Sequence, residues 1–82
     1  MSRKDKLIQL LTSESQMSWS DFASLMRLLD FELLNNNGSR RCFAKRELAN
    51  LKFFTHEPHP QNVLKKYQKK EALNFLKENK IL

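Results

Sequence analysis

Apolar residues recur along this chain with two different periods, and the change of period divides it into regions. Leu7, Ile8, Leu10 and Leu11 fall on one helical face between charged neighbours, which predicts a first helix over about 3–12. Residues 12–16, Thr-Ser-Glu-Ser-Gln, are polar throughout and form a linker. Ser18 stands three residues before Asp21, a capping-box-like pair in which the serine oxygen accepts the N–H of the third helical position. Trp19, Phe22, Ala23, Met26 and Leu29 then recur at helical spacing and predict an amphipathic helix over about 19–29.

The period shortens to two after Asp30. Phe31, Glu32 and Leu33 alternate and lead through Leu34 into three asparagines. Asn37-Gly38, which holds the single glycine, suits a tight hairpin turn because both residues tolerate positive φ. Ser39 to Lys45 form the returning strand, with Cys42 and Phe43 as its apolar members. Residues 45–50 show no strand pattern and connect it to a third strand. There Leu51, Phe53 and Thr55 alternate with Lys52, Phe54 and His56 over 51–56. The prolines of His56-Glu57-Pro58-His59-Pro60 exclude helix. A last helix is expected from Leu64 to Asn79, burying Ala72, Leu73, Phe75 and Leu76, with Leu64 and Tyr67 as earlier contacts. The predicted order is α-α-β-β-β-α. The expected class is α+β, a three-stranded antiparallel sheet with helices packed on one face. If Phe53 faces those helices, Phe54 is exposed on the open side.

Composition narrows the possibilities. A chain of 82 residues is a single small domain with a modest core, and a deep cofactor cavity is not expected. One cysteine makes no internal disulfide, and there is no cysteine cluster for zinc. No apolar run approaches the length of a membrane span or a signal-peptide core. The expectation is a cytoplasmic protein with no membrane partner and no cofactor. The formal charge of +6 is unevenly placed: residues 1–37 carry four basic and five acidic side chains, residues 38–82 eleven and four. Such asymmetry suggests a polyanionic partner, although solubility alone also accounts for a charged face. Lys65, Lys66, Lys69 and Lys70 crowd the first half of the last helix, where positive charge opposes the helix dipole.

From Ser18 to Leu82 the sequence resembles the HicA family of bacterial toxin components. The matching stretches are Leu28-Leu29-Asp30-Phe31-Glu32, the hairpin Asn37-Gly38-Ser39-Arg40-Arg41-Cys42-Phe43, the segment His56-Glu57-Pro58-His59-Pro60, and Leu64-Lys65-Lys66-Tyr67-Gln68 with the helix that follows. Residues 1–16 are an N-terminal addition to that core. The resemblance implies a double-stranded-RNA-binding-domain-like fold. It also implies cleavage of mRNA and neutralisation by a HicB-like antitoxin protein. Two positions depart from the family pattern. Asp30 stands where members usually carry glycine. Arg40 stands where many carry a hairpin histidine taken as catalytic, and a guanidinium cannot act as a general base. His59 matches a second family histidine, whereas His56 is extra.

Metal-independent RNA cleavage needs a base for the 2′-hydroxyl, an acid for the leaving oxygen and cations around the phosphorane. His56 and His59 are the histidines of this chain, and imidazole suits both proton roles near neutral pH. The plainer reading is two exposed loop histidines. Their three-residue spacing across Pro58 does not fit the i, i+4 helical pair of a zinc protease, and no metal site is expected. Arg40, Arg41, Lys65, Lys66, Lys69 and Lys70 are candidates for an RNA-phosphate surface, with Ser39 and Tyr67 as hydrogen-bonding additions. Two alternatives stay open: a non-catalytic RNA-binding module, and a protein-interaction domain using the open sheet face around Phe54.

Overall fold

The computed structural model describes residues 2–35, 40–48, 50–58 and 61–82, with Asn35 by its backbone alone. Among them run α1 (Arg3–Thr12), α2 (Trp19–Leu28), β1 (Phe31–Asn35), β2 (Arg40–Lys45), β3 (Lys52–His56) and α3 (Lys66–Glu78). The order α-α-β-β-β-α is the one the hydrophobic periods predict. Both antiparallel pairings join sequence neighbours, giving the sheet order β1-β2-β3. The Asn37-Gly38 turn and Ser39 lie outside the described residues.

Each of the first two helices starts on a serine whose side chain does the capping. Ser2 Oγ accepts from Asp5 N–H at 3.2 Å, and Ser18 Oγ accepts from Asp21 N–H at 3.0 Å. A cap of this kind stabilises a helix by about 1 kcal/mol. α2 ends at Leu28, and Asp30 then takes φ 67°. Its N–H donates to the Arg27 carbonyl at 3.0 Å, while its own carbonyl accepts from Arg46 at 3.0 Å. This left-handed residue turns the chain from helix into β1, at the position compared above with a family glycine.

Strand alternation divides the sheet into two faces. Phe31, Phe43 and Phe53 point towards the helices and are buried with Trp19, Phe22, Leu25 and Met26 of α2. The rings meet edge-on or tilted, at 5.3 Å for Phe22–Phe43 and 5.1 Å for Phe53–Phe75. Such pairs add roughly 0.5–1.5 kcal/mol each beyond their buried area. α1 lies on α2 and α3, to which Leu7 and Leu11 contribute buried contacts. No helix among the described residues is long and apolar enough to cross a membrane.

Two expectations for the last helix need correction. It starts at Lys66 rather than Leu64, because residues 62–64 are used as an extended segment. Trp19 N–H donates to the Asn62 carbonyl at 2.8 Å, and Leu64 N–H donates to the Met17 carbonyl at 2.9 Å. Ser18 and Val63 form the bridge between these two bonds. Tyr67, read as an earlier contact of the buried face, is 56% exposed. α3 is turned so that Gln68, Ala72 and Leu76, spaced by four, face inward, and this leaves Tyr67 outside.

Candidate functional site

The β2–β3 register sets Arg40 directly opposite His56. Directly opposed residues of an antiparallel pair hold their Cβ atoms about 4.5–5.5 Å apart on one face. Both side chains are exposed on the sheet face away from the helices. A cavity of about 200 Å³ opens beside them where the β3 edge of the sheet meets α3, lined by Arg40, Phe54, Thr55, His56, Tyr67 and Glu71. Tyr67 and Glu71 come from α3, four residues apart and therefore on one side of that helix. The cavity thus gathers an imidazole, a guanidinium, a phenol and a carboxylate. It is smaller than the roughly 300–1,000 Å³ of sites that enclose a small molecule. A volume of that size admits one small group, a phosphate or a single ring, with the rest of a larger ligand lying outside on the surface.

Gln68 holds this corner together. Its side-chain oxygen accepts from the Lys65 N–H at 3.0 Å. Its amide nitrogen donates to the His56 carbonyl at 2.8 Å and to Thr55 Oγ1 at 3.2 Å. One buried amide therefore caps the start of α3 and fixes the end of β3 where His56 sits. Arg41 points to the other side of the sheet from Arg40. Its Nε donates to Glu57 Oε1 at 3.2 Å and its Nη1 to the Arg40 carbonyl at 3.0 Å. Arg41 thereby anchors the chain that leaves β3. Pro58, the next residue, is buried. His59 lies outside the described residues, as does Ser39.

The lysines of α3 divide in the same way. Lys65, Lys66 and Lys70 are exposed and rim a groove of about 790 Å³ between α3 and the α1–α2 linker. Leu11, Pro58, Val63, Leu64 and Leu73 give that groove an apolar lining. Lys69, by contrast, is 8% exposed. Its ammonium donates to the carbonyls of Ser13 at 2.7 Å and Ser15 at 2.5 Å, tying the linker down on α3. Burial holds this ammonium below its ordinary value of 10.5. Lys69 is therefore occupied inside the molecule, and the cations facing solvent along this helix start are Lys65, Lys66 and Lys70.

Of the residues singled out in the sequence, the structure brings together Arg40, His56 and Tyr67. It sets Lys65, Lys66 and Lys70 around the neighbouring groove and gives Arg41 and Lys69 internal partners. Glu71 and Gln68 were not anticipated. The i, i+4 spacing of Glu71 from Tyr67 and of Gln68 from Ala72 on a helix was the available signal, but a charged run carries no mark of which member turns towards a strand. Compared with known proteins, the chain matches no family model, no curated protein and no solved structure.

Proposed function

We propose that this protein is a HicA-like RNA-binding toxin component that cleaves mRNA without a metal and is neutralised by a HicB-like antitoxin. The observation that carries the reading is the pairing of Arg40 with His56 across β2 and β3, where both line one small cavity. In the proposed reaction an imidazole takes the proton of a 2′-hydroxyl. The 2′-oxygen bonds to phosphorus and the bond from phosphorus to the 5′-oxygen breaks. A second group protonates that leaving oxygen, giving a 2′,3′-cyclic phosphate and a 5′-hydroxyl end. In this reading His56 takes one proton role. His59 is assigned the other on the family resemblance. Arg40 acts as the clamp on the phosphorane, the role a fixed cation performs well. Lys65, Lys66 and Lys70 supply attraction for the backbone on either side. Their groove, basic at the rim and apolar within, is also the surface that suits an acidic segment of a neutralising protein.

The runner-up is a non-catalytic RNA-binding module, favoured by the presence of Arg40 where relatives carry histidine. The test is cleavage of a long RNA in the presence of chelator by the wild type and by His59→Ala, His56→Ala and Arg40→Ala. His59→Ala is expected to lower the rate by about 10²–10⁴-fold with RNA affinity nearly unchanged, because general acid–base catalysis supplies an effect of that size. Arg40→Ala should lower binding and rate together. RNA left intact by the wild type decides for the binding module. Unchanged rates in both histidine variants would remove the proposed proton carriers.

A further inference from the structure

Six of the eight aromatic side chains of this protein are locked into one core network: Trp19, Phe22, Phe31, Phe43, Phe53 and Phe75. The two that stay out of it among the described residues are Phe54, 53% exposed, and Tyr67, 56% exposed. They come from different elements, a strand and a helix, yet both line the Arg40–His56 cavity. Folding gives little reason for this. Phe54 helps cover Cys42, its cross-strand partner, but an aliphatic side chain would do the same. An exposed ring beside an exposed guanidinium and imidazole offers a surface for a flat apolar ligand.

We infer that Phe54 and Tyr67 are base-stacking residues, each taking an unpaired nucleobase next to the phosphate held between Arg40 and His56. This rests on the RNA reading above and adds the form of the RNA: a single strand with its bases turned out. Phe54 stands two residues before His56 on the same face of β3, a separation of about 7 Å. That offset places its ring one base away from a phosphate bound at His56. Tyr67 stands on the helix side of the same cavity, so the two rings flank the phosphate position. A paired duplex keeps its bases stacked on one another and presents no free π-face to either ring, whereas single strands are bound through such platforms.

The experiment is a binding cycle. The probes are a labelled single-stranded 2′-O-methyl oligoribonucleotide of roughly 12 nucleotides, within the span such surfaces track, the same strand with abasic central positions, and the matching duplex. The methyl groups remove the nucleophile, so cleavage does not intervene. Phe54→Leu keeps the cover over Cys42 and removes the π-face. It is expected to bind the intact strand about 10-fold more weakly than the wild type, with an unchanged salt slope and an unchanged melt. On the abasic strand Phe54→Leu and the wild type should bind alike, because the base that the ring would hold is missing from both complexes. Tyr67→Leu should behave in the same manner, and the duplex should be indifferent to either change. An equal loss on intact and abasic strands, or no loss on either, overturns the stacking role and leaves the RNA reading standing; the open face would then belong to a protein partner. A wild type that binds none of the three probes at low salt overturns both.

Discussion

The two faces of the sheet are made from the same strands and have opposite fates. On the helix side Phe31, Phe43 and Phe53 vanish into the core. On the other side Leu34, Cys42 and Phe54 lie in register across all three strands. Cys42 is buried between neighbours that are themselves 40% and 53% exposed. Arg40 and His56 flank this row at one end, Glu32 and Lys52 at the other. Neighbours in sequence are thus sorted by parity alone: Phe53 inward and Phe54 outward, Arg41 towards Glu57 and Arg40 towards the cavity. The inner face carries the stability of the fold. The outer face carries apolar and charged groups that stability does not call for.

The largest test of that division is a pair of truncations. Phe43→Ala should cost about 3–5 kcal/mol, the usual loss for a fully buried ring, while Phe54→Ala should cost about 1 kcal/mol or less. Urea midpoints measure both, and losses of similar size would erase the energetic distinction between the faces. Next in size is the clamp joining α3 to the end of β3. Gln68→Ala leaves the Lys65 N–H and the His56 carbonyl without their partner, and a loss of about 1–3 kcal/mol in thermal unfolding is expected. A variant as stable as the wild type would mean that water replaces the amide at no cost. A smaller effect belongs to the residue that sets the phase at which β1 enters the sheet. Asp30→Gly relieves a side chain at positive φ and should raise stability by about 0.5–1 kcal/mol. A lower melting temperature would show that the Asp30 carboxylate, 3.9 Å from Lys45 Nζ, outweighs the backbone term.

The smallest effect is one of pH. Below both its folded and unfolded values Lys69 is protonated in either state, and the full cost of burying the ammonium stands. Between the lowered folded value and 10.5 the unfolded chain holds more protons, so stability from this group rises with pH; above 10.5 the cost is gone. The stability gap between the wild type and Lys69→Met should therefore move in favour of the wild type as pH rises through the alkaline range towards 10.5. A constant gap would show that the Ser13 and Ser15 carbonyls fully offset the burial.

Features encoded by neighbours in sequence were legible beforehand. The bounds of the first two helices, the Ser18 cap and the opposite fates of Phe53 and Phe54 follow from spacing and alternation, which need no knowledge of the rest of the chain. What escaped depends on contacts made across the fold. Leu64 reads as helical until Met17, far away in sequence, claims its N–H. Lys69 reads as one of four surface lysines until the linker between α1 and α2 folds over it. Gln68 sits inside a charged run and acquires its role only when β3 arrives beside it. Half of the candidate site was legible for the same reason: Arg40 and His56 follow from strand positions, whereas Glu71 depends on how α3 is rotated.

The bonds from Trp19 to Asn62 and from Met17 to Leu64 join positions more than forty residues apart, unlike the pairings within the sheet, which link successive strands. Closing so long a loop delays its contacts relative to local ones. In the order of chain synthesis, α2 and the three strands emerge before residues 62–64 and α3. Of the residues that make this corner, Arg40 and His56 precede α3 in the chain, whereas Gln68, Tyr67 and Glu71 belong to it. The cavity is therefore completed only when α3, which follows β3 in the chain, has packed beside it.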